Sequence, residues 1–482
     1  MLTPRFEVSQ DEEFIYVKIH ISNIRFSAAA VEMVVNDSVF IFSLPPYYLR
    51  LRFPNSLIED ERATSEFVPR EECIKCRVPK LNKGEDFKDL DLTAKLLARL
   101  GEPTATTAAN LNLKKPFLIE ELDTDSNEND SRVSQVEQEA LNYDWEVPQM
   151  MPSLETSLDT TVKYGFNNQY SEQLTPSLEN GNDINELSAP DNLKPDDRIM
   201  ERMIKENIKF DMEYYANDYI TAKYLPEESS ASGLANALLM KSSFQNAFES
   251  NSSKEHVDIK FTQEEHDKMA DLPRRSYIID DPRPIYYSAM CILFGYAYEL
   301  RSFDSEVNVE SAWCIGKLAP QIGCLDSQLI QSNNNTESNM LKVVVLTMAR
   351  RSLGWPLFRH FDLIKATWND VYWILRCGKR AVLKALLATR ELFRKHDIYY
   401  IYCKILLDDL CAWVLRDDGC NDNVLRNLAH ALKQEVQQLS KKDIVFEKIL
   451  DNSEANVDGE FEFINLEDIE GWADETYQLS IQ

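Results

Sequence analysis

Glycine is scarce in this sequence, with 13 in 482 residues, well under the ~7% usual in globular chains. Loops that cradle phosphate need closely spaced glycines so that backbone N–H groups can approach the ligand. No GxGxxG, GxxxxGKS or GxxxxGKT run occurs, which largely excludes Rossmann, P-loop and kinase chemistry. Histidine is scarcer, with 6 scattered residues and no HExxH, HxH or GxSxG. Basic residues are outnumbered, 52 Lys+Arg against 80 Asp+Glu, for a formal net charge of −28. A dedicated nucleic-acid binder needs a basic footprint instead. No basic-plus-apolar leader opens the chain, and the longest apolar stretch, residues 286–300, is too short and too polar for a membrane span. The 9 cysteines, scattered and odd in number, read as free thiols in a reducing compartment. What is left is an expectation of a soluble intracellular protein with no cofactor, no metal and no catalytic centre.

The hydrophobic fraction is 44%, enough for real cores, and the length allows about two to four domains. Charge marks their limits. Residues 1–98 carry a net −3, residues 99–196 a net −13, residues 197–450 a net −2 and residues 451–482 a net −10. Two nearly neutral units are therefore separated by an acidic linker and followed by an acidic tail. Such runs are commonly solvated and partly disordered.

Residues 1–98 read as a small antiparallel β-sandwich. In Glu13–Ile21, Ile15, Val17, Ile19 and Ile21 alternate with Phe14, Tyr16, Lys18 and His20. Leu49, Leu51 and Phe53 alternate with Tyr48, Arg50 and Arg52, and Ile74, Cys76 and Val78 with Cys73, Lys75 and Arg77. Period two with turn residues between the runs, at Asn36-Asp37 and Pro45-Pro46, indicates a sandwich. The Cys73-x-x-Cys76 spacing is no metal motif here: in a strand, residues i and i+3 point to opposite faces. Cys76 is expected in the core and Cys73 at the surface.

Residues 99–196 have linker composition. Two aromatic islands stand out in them, NYDWEVPQMM (Asn142–Met151, with Trp145) and KYGFNNQY (Lys163–Tyr170), which are candidates to anchor on a folded domain or a partner. From Asp197 the period changes to 3.6. Helices are predicted over Asp197–Asn207, Met212–Tyr224, Ile285–Leu300, Leu341–Arg351, Phe361–Arg376, Arg380–Lys395, Tyr399–Arg416, Asn423–Leu439 and Asp443–Leu450. The fold class is α+β multidomain: sandwich, acidic linker (99–196), all-helical domain (197–450) and acidic tail (451–482).

Within the helical part, Asp408-Asp409 diverge by about 100° on a helix and make a poor shared acid/base or metal pair. One of them is expected to point inward and pair with an arginine, since an unpaired inward acid is costly. Residues 350–395 hold 11 Lys/Arg against Asp362, Asp370 and Glu391, a net +8. The simplest reading is a counter-surface for acids of the same domain.

These residues carry a specific resemblance. The opening, from Thr3-Pro-Arg-Phe6 through DEEFIYVKIHISNIRFS to PPYYLRLRFP, resembles the CS domain of the SHQ family, the assembly chaperones of box H/ACA ribonucleoproteins. KYGFNNQY, NGNDINEL (Asn180–Leu187), IKFTQEEHDKM, LPRRSYIIDD and ESAWCIGKLAPQIGCLD (Glu310–Asp326) are similar to the same family. So is the long run from Arg350 to Val414, the most specific of all. The likeness excludes most of residues 100–160 and is of the fungal type.

The resemblance implies a monomeric binding protein that holds the free pseudouridine synthase subunit (dyskerin in animals) before its guide RNA arrives. The helical SHQ-specific domain would grip the synthase and occupy its RNA-binding surface as a placeholder. It implies no stable nucleic-acid contact of its own, no membrane, and a place in nucleoplasm and cytoplasm. Contact with the ninety-kilodalton heat-shock chaperone does not follow from a CS fold alone. The alternative is a general co-chaperone acting through the CS domain, with the helical domain as client adaptor. A surface that binds guide RNA is basic, so its placeholder should present acids. The tail does so, with apolar groups among them. Glu460, Glu462, Glu467, Asp468, Glu470 and Trp472 are therefore the candidate partner contacts. The helical face of Arg376, Lys379 and Arg380 is a second.

Overall fold

A computed structural model describes residues 2–21, 31–68, 73–98, 149, 162–250, 257–331, 339–449 and 461–481. The chain divides into two compact units, Met1–Leu158 and Asp159–Gln482.

Among the described residues, the first unit has seven strands: β1 (Arg5–Gln10), β2 (Phe14–His20), β3 (Glu32–Asn36), β4 (Val39–Leu44), β5 (Tyr47–Arg52), β6 (Thr64–Val68) and β7 (Cys73–Pro79), followed by a short helix α1 (Thr93–Leu97). They form two antiparallel sheets, β1-β2-β7-β6 and β3-β4-β5. Ile15, Val17, Ile19 and Ile21 are buried, as the alternation predicts, together with Phe40 and Phe42 of β4 and Leu49 and Leu51 of β5. Aromatic and β-branched side chains on a pleated face account for the strand choice. Two positions depart from the alternation. Cys73 is buried rather than exposed, because β7 is an interior strand and His20 and Val68 flank Cys73 in the register. Arg50 is buried as well, lying under α1 with its Nη2 donating to Leu97 O at 3.4 Å.

The second unit is helical. Its helices are α2 (Thr175–Glu179), α3 (Pro195–Lys209), α4 (Met212–Tyr224), α5 (Pro226–Ser232), α6 (Leu234–Leu239), α7 (Ser243–Glu249), α8 (Gln263–Ala270) and α9 (Arg283–Ser302). They continue with α10 (Ser311–Leu318), α11 (Pro320–Gly323), α12 (Met340–Ser352), α13 (Phe361–Arg376), α14 (Lys379–Lys395), α15 (Asp408–Leu415), α16 (Asp422–Gln438) and α17 (Leu466–Ser480). Start signals are local: proline in the first turn of α3, Asp211 accepting from Glu213 N–H and Tyr214 N–H at α4, and a Thr262–Glu265 capping box at α8. Helix α9 is buried on nearly every side and is the axis of the core.

Three segments differ from the sequence reading. Residues 162–196 are not linker. Tyr164, Phe166, Leu174, Ile184 and Leu187 belong to the helical core, so KYGFNNQY is an anchor, while Trp145 lies outside the described residues. This strap is irregular, which is why it shows no apolar period. Gly165, at φ +76°, sits where a Cβ would be 2.4 Å from Ile405 O, against a π-helical turn at Cys403–Leu407. Second, Asp443–Leu450 is not a helix: a 3-10 turn (Lys441–Asp443) leads into strand β8 (Val445–Ile449). Third, the tail is structured where it is described. Strand β9 (Phe461–Asn465) pairs with β8 and leads into α17, and Phe446 of β8 stacks on Phe210 with centroids 3.7 Å apart.

The strap, α3, α10 and α12 meet in a buried ionic network. Arg202 Nη1 donates to Glu206 Oε1 at 2.8 Å and Arg202 Nε to Asp326 Oδ2 at 2.8 Å. Arg350 Nε reaches Glu206 Oε2 at 2.9 Å, and Arg351 Nη2 reaches Glu186 Oε1 at 2.7 Å. Lys317 stands 3.8 Å from Glu186. Arg351 Nε also donates to Lys317 O and Leu318 O at 2.8 and 3.0 Å, filling the open carbonyls at the end of α10. Burial alone would raise the Glu206 pKa, but Arg202, Arg350 and Arg351 hold it below its ordinary 4.5.

Replacing Glu206 with alanine leaves the buried Arg202 and Arg351 and the half-buried Arg350 short of charge, which costs about 3–5 kcal/mol when one partner of a buried pair is removed. Denaturant titration of the helical unit checks this. A depressed carboxylate pKa contributes stability that is present above its unfolded value and lost as pH falls through the folded one. Thermal stability of that unit therefore drops below pH 4.5, and Glu206→Gln flattens this acid limb.

Candidate protein-binding surface

Helix α17 begins at Asn465, whose side chain accepts from Asp468 N–H at 3.1 Å and donates to Asp468 Oδ2 at 2.7 Å. Glu467 and Asp468 sit in its first turn, where the helix dipole favours negative charge. The inner face docks on α4. Tyr215 Oη donates to Glu470 Oε1 at 2.7 Å, and Lys441 Nζ donates to Glu470 Oε2. Lys223 Nζ and the Tyr224 hydroxyl reach Asp474 at 2.8 and 2.9 Å, and the Tyr224 and Tyr477 rings stack at 4.3 Å. Burial, and next the bond to Glu470, push the Tyr215 hydroxyl pKa up.

The outer face of β9 and α17 is acidic and apolar together. Glu462, Glu467, Asp468 and Glu475 are exposed, and between them stand Phe463, 67% exposed, and Trp472, 47% exposed. No Lys or Arg occurs in residues 451–482. The structure thus brings Glu462, Glu467, Asp468 and Trp472 onto the surface of one hairpin-and-helix element. Glu470 is the correction: it turns inward and holds the helix. Glu460 lies outside the described residues. Phe463 is the surface residue that the sequence reading did not single out as a contact; its place in a strand of alternating FEFIN is the signal.

The second candidate face is engaged within the domain. Arg376 lies over the Phe248 ring at 5.5 Å with Nη1 3.3 Å from His430 Nε2. Lys379 Nζ donates to Arg416 O at 2.6 Å, and Arg380 covers Phe261 at 5.0 Å. Other cations of the basic stretch are similarly paired, Lys384 with Glu265 and Arg390 with Asp408. The stretch reads as an internal counter-surface. Asp409 is the inward acid: it accepts from the Tyr170 and Tyr277 hydroxyls, with Arg275 at 3.6 Å. Burial, then Asp409, push the Tyr170 pKa up to about 12.

An open cleft of about 470 Å³ is lined by Tyr277, Arg283, Tyr286, Trp413 and Arg416, but Arg283 is paired with Asp281 and Arg416 with Asp418. Among the described residues no group of three or more His, Cys, Asp or Glu could hold a metal ion, and no helix is long and apolar enough to cross a membrane. The 9 cysteines are buried free thiols.

The sandwich matches the family model for the SHQ1-like CS domain over residues 3–97, so the protein is a CS-domain protein with a helical unit attached. Residues 250–448 match the model for the Shq1 domain of SHQ1 protein. Protein shq1 of Schizosaccharomyces pombe is 32% identical over 453 residues, 90% of this chain and 92% of that protein. SHQ1 homologs of Danio rerio and Xenopus tropicalis are 29% and 28% identical; the likeness covers 86% and 93% of this chain and 66% and 68% of theirs. The chain belongs to the SHQ1 family. Membership supports the role of an assembly chaperone of box H/ACA ribonucleoproteins.

Replacing Glu470 with alanine strips Lys441 and Tyr215 of their shared acceptor, and α17 opens more often. Limited chymotrypsin digestion should then cut at Trp472 and Tyr477 several-fold faster, roughly the effect of losing one charged hydrogen bond. Unchanged cleavage would place the anchoring of α17 elsewhere.

Proposed function

We propose that the protein binds the free pseudouridine synthase subunit of H/ACA ribonucleoproteins and occupies its RNA-binding surface until guide RNA displaces it. The mechanism is equilibrium binding without a reaction. The observation that carries this reading is the exposed surface of β9 and α17, which offers the carboxylates of Glu462, Glu467 and Asp468 together with the rings of Phe463 and Trp472 in a segment without one cation. A surface shaped for RNA phosphate is basic, and carboxylates replace the phosphates. The exposed aromatics add a desolvated anchor that phosphate mimicry alone would not need. The basic stretch is the weaker candidate, because several of its cations are held within the domain, Lys384 by Glu265, Arg390 by Asp408 and Arg394 by Asp271. We further propose that it acts in nucleoplasm and cytoplasm, as the family resemblance implies.

The test is titration of the full chain into purified synthase, with and without guide RNA. Binding should be competitive with RNA and weaken with salt. Trp472→Ala should lose about 2 kcal/mol, roughly thirty-fold in Kd. Charge reversal by Glu467→Lys and Asp468→Lys should reduce affinity at least about tenfold and flatten the salt dependence. Simultaneous binding of RNA and this protein to one synthase would sink the placeholder mechanism.

A further inference from the structure

Among the described residues, strand β5 is an edge strand, with β4 as its one neighbouring strand. An edge presents a row of N–H and C=O groups that can template pairing with another chain. Along the outer edge of β5 these groups are Pro46 O, Tyr48 N–H, Tyr48 O and Arg50 N–H. Leu2 takes the first two: its N–H donates to Pro46 O at 2.9 Å, and its C=O accepts from Tyr48 N–H at 3.0 Å. The side chain of Gln149 takes the next two. Its Nε2 donates to Tyr48 O at 3.0 Å, and its Oε1 accepts from Arg50 N–H at 3.1 Å.

A primary carboxamide offers the donor and acceptor of a peptide unit, and a residue of a neighbouring strand would make the same two bonds. Gln149 thus continues by side chain the ladder that Leu2 begins by backbone. The link is remote in sequence, Gln149 standing 101 and 99 positions from its partners. A glutamate here could accept from Arg50 N–H but would have no hydrogen for Tyr48 O, so the fit is to a neutral amide and not to an anion.

We propose that the outer edge of β5 is a strand-addition site for an extended polypeptide, filled in this protein by its own Gln149. The site reads main-chain groups, so the ligand class is an extended segment that presents an amide, whether peptide or carboxamide, at the level of Tyr48 and Arg50. Occupation in cis keeps the edge from pairing with other chains.

Hydrogen exchange on the full chain tests this, read at the Arg50 amide with Val17 as the core reference. Gln149→Ala should raise exchange at Arg50 roughly five- to tenfold, the loss of one hydrogen bond, and leave Val17 unchanged. A synthetic peptide of residues 144–154, added in trans to that variant, should restore protection at Arg50. The same peptide carrying Gln149→Ala should not. Equal exchange at Arg50 in wild type and Gln149→Ala overturns the proposal, as does a peptide that restores nothing or restores equally well without its glutamine. If Gln149→Ala also unprotects Val17, the same peptide comparison is made on Gln149→Asn, whose shorter carboxamide cannot span both groups, and its outcome decides in the same way.

Discussion

The helical unit depends on a charge cluster that it cannot leave incomplete. Glu206 is fully buried among Arg202, Arg350 and Arg351, and Glu186 closes the cluster against Arg351 and Lys317. Each of these ions is tolerable inside only because the others are present, since an unpaired buried charge costs several kcal/mol. The cluster therefore dictates which segments must come together: the strap, α3, α10, α12 and the loop that carries Asp326. Gly323 makes room for it, because a Cβ there would stand 3.0 Å from Arg351 Nη2 and 3.2 Å from Glu186 Oε1. Arg350 extends the same cluster to the tail, donating to Val445 O and covering the Phe446 ring at 4.6 Å. The hairpin that presents the acidic face is thus mounted on the ionic core.

Legibility from sequence followed periodicity. Phe361–Arg376 was readable to the residue because it buries an apolar stripe at the helical period, and Met212–Tyr224 because the Asp211 cap marks its start. The strands β2, β5 and β7 were equally plain, whereas β3 (Glu32–Asn36) and β6 (Thr64–Val68) were not singled out. What escaped lacked a period. The strap buries isolated aromatics from irregular backbone, and β8 owes its conformation to a partner strand beyond residue 460. The ionic cluster escaped for a different reason: Arg202 and Glu206 at i and i+4 look like any solvated helix pair, and Glu186 meets Arg351 across 165 residues. Yet the blocks that carry the family resemblance, NGNDINEL, ESAWCIGKLAPQIGCLD and the run from Arg350, are the ones whose charges converge there. The resemblance located the cluster without revealing its geometry.

The acidic balance divides into two kinds of acid with different duties. Glu186, Glu206, Asp326 and Glu470 are inside and neutralised, so they contribute to architecture. Glu462, Glu467 and Asp468 are outside, Glu467 with only the exposed Lys442 at 3.6 Å, so they are accessible to a partner. Composition counts both alike, and only burial separates them. The same sorting applies to the cations of residues 350–395, a net +8: Arg350, Arg351, Lys384 and Arg390 are paired inside the domain, while Arg380 is exposed over the Phe261 ring.

The helical unit also closes on itself over long distances. Tyr215 meets Glu470 across 255 residues, Tyr170 meets Asp409 across 239, and Ser177 meets Ile398 across 221. Helical proteins usually fold fast because their contacts are local, and rates fall as contacts join remote parts of the chain. The loop entropy of each closure is spent before the contact rewards it. In this unit, then, helices form early and cheaply, and the search that sets the folding rate is the meeting of the strap and α17 with helices made far away in the chain.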